Sequence, residues 1–290
     1  ANIDTQKEPV SRQIWKVGAR IRFASPRIRD FFVHVLGQVR ILKKAYPGIM
    51  HAMIFWGVTI QVFGTAINLM QMALFTPFAL ENFPRQGWYL AYELIMDLAG
   101  IAILLGVSLA AFRRLALRPK ALETRWDDLY ALGMLFMIAC VGFTNEATRI
   151  LVANPSWAAW SPVGNWVASI FRALGMSAEG AAAIHNWLVY AHVGLALTLT
   201  ATIPFTKLRH LINIPVNILT RSKRKMGEVE KIEDIETTEL LGVGKVTEFS
   251  SWQLLSFDAC VRCGRCEDAC PATYSGMPYS PRTLIQSLRS

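Results

Sequence analysis

The sequence predicts an all-α membrane protein: a bundle of four spanning helices, an interfacial helix before it and a small polar tail after it. Three observations carry this. Of the 290 residues 53% are hydrophobic and only 18% charged, against about 25% charged in a soluble domain. Four segments reach the roughly 20 apolar residues that a bilayer-crossing helix needs. Four of the five cysteines fall within eleven residues, in a polar segment near the C-terminal end.

Residues 1–48 read as a cytoplasmic and interfacial segment. Its start, ANIDTQKEPVSRQIWKVGARIRF, has no apolar core of the signal-peptide kind. Stretch 30–46, DFFVHVLGQVRILKKAY, is too short and too basic to span, and Phe31, Phe32, Val35, Val39 and Leu42 share one helical face. That pattern suits a helix lying in the membrane interface or a packed surface helix. His34 reads as a surface residue.

Residues 49–206 hold the spans, approximately 50–74, 88–112, 128–152 and 184–205. Lys and Arg crowd the first 50 residues, the loop between spans two and three (Arg113, Arg114, Arg118, Lys120, Arg125) and the stretch after span four. The other two connections hold only Arg85 and Arg172. The positive-inside rule then puts both termini in the cytoplasm of a cell with the bundle in its inner membrane. The net charge of +9 follows from this topology, which argues against nucleic acid as a partner. Residues 153–183, rich in Trp, are expected as an external loop anchored at the interface. Residues 207–245 form a linker, basic and then acidic, and 246–290 carry the cysteines. The spans show no internal repeat of the kind transporters usually have.

Cys260, Cys263, Cys266 and Cys270, followed by Pro271, have the spacing C-x2-C-x2-C-x3-C. This is the bacterial ferredoxin pattern for a [4Fe–4S] cluster, so the tail is expected to be ferredoxin-like. A structural zinc site usually shows two separated ligand pairs, and a disulfide framework would spread its cysteines. Gly264 permits unusual backbone conformations, and Arg262 and Arg265 are expected to lower the thiol pKa values. In two-cluster domains the fourth cysteine of such a run ligates the other cluster. No second run is present, and Cys140 lies in mid-span. Either the four thiols hold one cluster or a second, shared cluster draws ligands from a further C-terminal portion or a partner subunit; the latter is the expectation.

Histidines at membrane depth are rare and usually functional. His51 opens span one and His210 follows span four, both at the cytoplasmic level, where two neutral imidazoles could hold haem b axially. His192 and His210 are eighteen residues apart. In a regular helix that is five whole turns, which puts both on one face roughly 27 Å apart; Pro204 between them is a potential kink. His185, seven before His192, falls on the same stripe, or else lies in the loop before it.

The stretches PGIMHAMIFWG (47–57) and WLVYAHVGLALTLTATIPFTKLRH (187–210) resemble the cytochrome b gamma subunit of respiratory nitrate reductase. They resemble still more its relatives fused to heterodisulfide-reductase-like iron–sulfur domains, and FDACVRCGRCEDACPATYSGMPYSPRTLIQSLR (257–289) is similar to the start of those domains. The resemblance covers most of residues 45–290. It implies a haem b between His51 and His210 and a second haem at His192. The histidine that would face His192 falls at Gln61, which is not a usual axial ligand. It also implies membrane quinone, menaquinone or another, and a cytoplasmic redox partner such as an electron-transfer flavoprotein or a heterodisulfide-reductase-like subunit.

The remaining buried-looking polar groups gather towards the outer half. Glu93 and Asp97 lie one turn apart on span two, Asn145, Glu146 and Arg149 end span three, and His185 opens span four. Glu93, Asp97, Glu146 and His185 are candidates for quinone binding or proton relay, with Glu146–Arg149 as an i, i+3 ion pair in the alternative. The function expected is an electron-transfer subunit of a quinone-linked oxidoreductase. The alternative is a non-catalytic membrane anchor that docks a redox enzyme through its cluster-binding tail.

Overall fold

A computed structural model describes residues 25–70, 87–120, 122–222, 228, 236 and 242–289. The described residues are mainly helical, with no strand among them. They divide into two compact units. One comprises Arg40–Pro119 and Thr124–Thr206, the other Ala1–Val39, Lys120–Glu123 and Lys207–Ser290.

Before the bundle, α1 (Ser25–Phe31) runs into a π-turn over Phe32–Leu36, and a short α2 covers Val39–Leu42. The single helix expected over 30–46 is therefore interrupted. The Gly37 N–H closes the π-turn on the Phe32 carbonyl at 2.8 Å, and Gln38 follows with φ of 50°, a left-handed conformation that no continuing helix contains.

The first unit contains α3 (Ala45–Met70), α4 (Trp88–Phe112, extended by a π-turn to Leu117), α5 (Trp126–Ala153), α6 (Pro162–Ala173) and α7 (Ala178–Thr202). Helices α3, α4, α5 and α7 are each long and apolar enough to cross a membrane. They correspond to the four expected spans; residues 71–74 of the first lie outside the described residues. Helix α3 packs on α4, α4 on α5, and α5 on α7.

Small residues let these helices approach, as membrane helices require in the absence of a hydrophobic drive between them. A Cβ at Gly57 would stand 2.6 Å from Ile103 Cγ1, and one at Gly106 would stand 2.8 Å from Ile54 Cγ1. Three side chains then bridge α3 and α4 through backbone carbonyls, in antiparallel register. Tyr46 Oη donates to Leu109 O at 2.9 Å, Gln61 Nε2 to Met96 O at 2.8 Å and Tyr92 Oη to Gly64 O at 3.2 Å. Ile103, Val107 and Ala139 form one buried core with Ile54, Val58, Leu104, Leu132 and Leu135 around them. At the α4–α5 turn the fully covered Asp128 carboxylate takes an ion pair from Arg114 at 3.1 Å and the Arg125 N–H at 2.9 Å.

The region expected as a loop, 153–183, contains helix α6. Ala147, Ile150, Leu151, Ala168 and Ala181 bury its apolar face, with Trp157, Val167, Phe171 and Met176 packed against them. Pro162 sits in the first turn, where its missing N–H costs nothing.

The run from span four to His210 is not one regular helix. Helix α7 ends at Thr202 and is followed by 3-10 turns at Ile203–Phe205 and Lys207–Arg209. Thr206 between them is extended, with φ −119° and ψ 178°. Pro204 supplies no N–H to an α-helical ladder, so the helix tightens and stops. His210 begins a new helix, α8 (His210–Thr220), and the five-turn alignment with His192 does not hold.

In the second unit α8 packs on α1 and on α9 (Ser251–Asp258), and α9 packs on α12 (Pro281–Arg289). Two short helices, α10 (Arg265–Asp268) and α11 (Pro271–Tyr274), lie in the cysteine segment. Asn217 Nδ2 donates to Ser256 Oγ at 2.7 Å, joining α8 to α9, and Arg221 pairs with Asp30.

Candidate functional site

Cys260 and Cys263 of the second unit lie on a loop, Cys266 lies in α10 and Cys270 precedes α11. Arg262 and Gly264 both have positive φ, 55° and 75°, and the chain bends at Gly264. Cys263 and Cys266 are exposed and Cys260 and Cys270 half-buried. Arg289 Nη1 donates to the Cys260 carbonyl at 3.2 Å and its Nε lies 3.6 Å from Asp258 Oδ1, so α12 braces the loop's entry. Arg282 and Ser280 hold Glu267 at 3.2 Å and 2.5 Å, bracing its middle. Arg262 is buried, at 7% exposure.

The Cys266 thiol pKa is raised, first by burial and then by the neighbouring Cys263 and Cys260, with the Glu267 N–H opposing. The expected lowering by arginine is not found there. Mutual repulsion among adjacent thiolates is what a polynuclear cation relieves, and four thiols within eleven residues fit the donor set of a [4Fe–4S] cluster. Among the described residues no group of three or more His, Cys, Asp or Glu is already drawn together around a metal position.

His210 is half-buried at the start of α8. Its Nδ1 lies 2.7 Å from the Lys207 carbonyl. A carbonyl accepts, so Nδ1 carries the proton and Nε2 the lone pair, the arrangement that second-shell partners impose on metal-binding imidazoles. Burial pushes the pKa of His210 down, which keeps the ring neutral and able to ligate. His51 lies in the first unit near the start of α3, half-buried and stacked along Phe55 with centroids 6.5 Å apart. The donor chemistry of both residues fits haem iron.

The other two histidines of the bundle face α5. His185 Nδ1 lies 2.9 Å from Thr148 Oγ1, and that hydroxyl donates to Asn145 O at 2.8 Å. With the hydroxyl hydrogen so used, His185 donates from Nδ1. His192 lies against Gly142, its Cε1 3.2 Å from where a Cβ would stand. His34 lies in the π-turn after α1.

The three carboxylate candidates of spans two and three all have partners. Arg149 Nη2 reaches both Glu93 oxygens at 3.0 Å, and its Nε and Nη2 reach Glu146 at 2.9 and 2.8 Å. Its guanidinium carbon sits 4.3 Å from the Trp157 ring centroid, a cation–π contact. The expected i, i+3 pair is present; the bridge to Glu93 on α4 is an addition that no local spacing announced. Asp97 accepts the N–H of Val163 at 2.8 Å and of Gly164 at 3.0 Å. It caps α6 from a different helix, meeting both the orphan donors and the positive end of the helix dipole.

These contacts make two predictions. Arg149→Met leaves two carboxylates without their cation; with the Arg149 side chain 37% exposed, the loss should lie below the ~3–5 kcal/mol of a fully buried pair. The thermal midpoint of the purified protein in detergent should fall. Asp97→Ala removes a helix cap, a loss of about 0.5–2 kcal/mol. Hydrogen exchange at Val163 and Gly164 should rise while that of α5 stays as it was.

Comparison with known proteins follows this division. The nitrate reductase gamma subunit family matches residues 44–226, and a 4Fe-4S binding domain matches residues 255–272. The "EtfAB:quinone oxidoreductase" of Syntrophomonas wolfei subsp. wolfei is 30% identical over 275 residues, covering 91% of this chain and 37% of that protein. The "Probable iron-sulfur-binding oxidoreductase FadF" of Bacillus subtilis is 32% identical over 268 residues, with the same two coverages. The chain thus spans little more than a third of the length of these relatives. A "Probable membrane-anchored ferredoxin" of Chromohalobacter salexigens is 54% identical over 48 residues, 17% of this chain and 7% of that protein. No solved structure matches. With the gamma-subunit pattern over its whole bundle and a 4Fe-4S binding domain in its tail, the chain belongs to the nitrate reductase gamma subunit family.

Proposed function

We propose that this chain is the membrane part of an electron-transfer oxidoreductase, linking a redox partner in the cytoplasm to membrane quinone. The observation that carries the reading is a [4Fe–4S]-type cysteine run joined in one chain to a gamma-family bundle with histidines at its ends. The printed name of the relative from Syntrophomonas, which couples EtfAB to quinone, supports it.

In this reading Cys260, Cys263, Cys266 and Cys270 hold a [4Fe–4S] cluster, and a second cluster draws on residues outside this chain. His51 and His210 hold haem b. They belong to different units, and their pairing rests on the resemblance and on the state of His210. Such centres supply one-electron chemistry at a potential set by ligands, hydrogen bonds and burial. The chain's own part is to fix the His210 tautomer through Lys207, to brace the cysteine loop through Arg289 and Arg282, and to exclude water with α3 and α4. The distribution of Lys and Arg puts both termini in the cytoplasm of the inner membrane. The partner is an electron-transfer flavoprotein or a heterodisulfide-reductase-like subunit, and the acceptor menaquinone or another quinone. Glu93, Asp97, Glu146 and His185 remain candidates for proton relay.

The test is reduction of the purified protein by a quinol analogue, followed optically. Reduction of a b-type spectrum supports the reading, and an inert spectrum rejects it. The match to a membrane-anchored ferredoxin favours a second reading, a docking anchor without a quinone site, and that is the reading an inert spectrum would leave.

A further inference from the structure

The resemblance implies a second haem at His192, and the residues at that level do not fit one. Gln61, which stands where the facing histidine would be, has its amide committed to α4, where it donates to Met96 O at 2.8 Å. One turn along α4, the space beside Gly100 is filled from α5. Phe143 Cζ lies 2.7 Å from where a Cβ would stand, and Gln61 Nε2 lies 3.5 Å from the same point. Helices α3, α4 and α5 therefore close on one another at Gln61, with no gap for a macrocycle.

His192 turns elsewhere. Its neighbour on α5 is Gly142, and successive helical residues point about 100° apart, so Gly142 and Phe143 serve different helices. Its Nδ1 is buried without a hydrogen-bond partner, 3.6 Å from the Gly142 Cβ position. The unused nitrogen thus faces the α5 backbone rather than α3. A haem iron needs two ligands facing a shared space; here the Gln61 amide is spent on α4, and the His192 ring lies beside Gly142 of α5.

We propose that the Gln61–His192 level of this bundle carries no haem, and that Gln61, Met96, Gly100 and Phe143 form a helix-locking cluster in its place. This goes further than the functional reading above and rests on it for one consequence. Gln61 lies ten residues, or ~15 Å along α3, beyond His51, and Met96, Glu93 and Arg149 lie at or past that level. Electron tunnelling falls exponentially with distance. Without a centre at Gln61, quinone must meet the electron path at the His51 end.

The experiment is haem quantification and a potentiometric titration on the purified full chain and four variants. One haem per chain and one redox wave are expected, unchanged in amount and band position in His192→Ala and in the conservative His192→Gln. Gln61→Leu should keep the haem but lower the thermal midpoint, since it breaks the bridge to Met96. Gln61→His should also stay at one haem, because Phe143 and the α3–α4 contact fill the space. Two haems in the wild type, loss of about half the absorbance in both His192 variants, or a second haem gained in Gln61→His would overturn the inference. No haem in any form would instead reject His51 and His210 as ligands, while agreeing with an empty level at His192.

Discussion

Cys263→Ser is expected to strip the tail of its iron–sulfur absorbance and of its low-temperature electron paramagnetic resonance signal while leaving the membrane bundle folded. Cys263 is exposed and flanked by two residues with left-handed backbone, Arg262 and Gly264. Serine is isosteric, yet its hydroxyl remains protonated at neutral pH where a coordinating thiol is deprotonated outright. The affinity loss should reach at least the ~10–100-fold range that removal of a mere second-shell partner costs a metal site. The bundle makes its own core around Ile103 and Val107, within its own compact unit, so its helical circular dichroism and its haem content should not change. Retention of a [4Fe–4S] signal in both Cys263→Ser and Cys266→Ser would remove the tail assignment. Reduction of a flavoprotein or viologen partner through the tail should stop in parallel with loss of the signal.

What was legible in the sequence is what hydrophobicity and short spacing encode. Span two was read as 88–112 and α4 covers Trp88–Phe112, because a bilayer-length apolar run between a turn and an arginine pair has sharp edges. The C-x2-C-x2-C-x3-C run needed no tertiary information at all. Helix α6 was missed because its short amphipathic pattern is interrupted by Asn165 and Ser169 and surrounded by Pro, Gly and Trp. Its start depends on Asp97, a carboxylate 65 residues before Pro162. The break before His210 was half legible. Pro204 announced a kink, but the extended Thr206 that ends the helix is a choice of backbone among several that Pro allows. The cross-helix groups were the least readable. Gln61 was noted only as an absent histidine; its bond to Met96 O depends on how α3 and α4 slide past each other, which Gly57 and Gly106 set. Arg262 looked like a cation beside thiols but is buried, at 7% exposure.

A pattern connects these cases. Within the bundle nearly every strongly polar side chain was an attractive functional candidate from sequence, since such groups are expensive in lipid. The structure provides most of them with structural partners: Asp97 caps α6, Glu93 and Glu146 share Arg149, and His185 bonds Thr148. Cost alone therefore does not separate a cofactor ligand from a helix fastener; the orientation of the remaining lone pair does. By that criterion His210, with Nδ1 held by Lys207, differs from His192, whose unpaired nitrogen lies against Gly142.

That difference gives the second large prediction. His210→Gly should purify with the b-type absorbance lost or strongly diminished, by ~10-fold or more on the scale of metal-site substitutions, and added imidazole should restore part of it. The side chain contributes two things that can be told apart. In the proposed reading its ring supplies the ligand, and its Nδ1–H supplies the Lys207 carbonyl with a donor at 2.7 Å. Imidazole entering the vacated space replaces the first. Loss of the second leaves the 3-10 turn at Lys207–Arg209 with one fewer satisfied carbonyl, a cost of about 1–3 kcal/mol that would lower thermal stability but not abolish a spectrum. His210→Gln, which can still donate to Lys207 O through its amide, should recover the stability and not the haem. Under the same treatment His51→Gly should lose the absorbance as well, and the double variant should lose no more than either single one, because one iron shared by two ligands is lost only once. A full haem complement in His51→Gly or in His210→Gly without imidazole would dissolve the pairing. Additive half-losses would mean two separate sites where the chain is argued to have one.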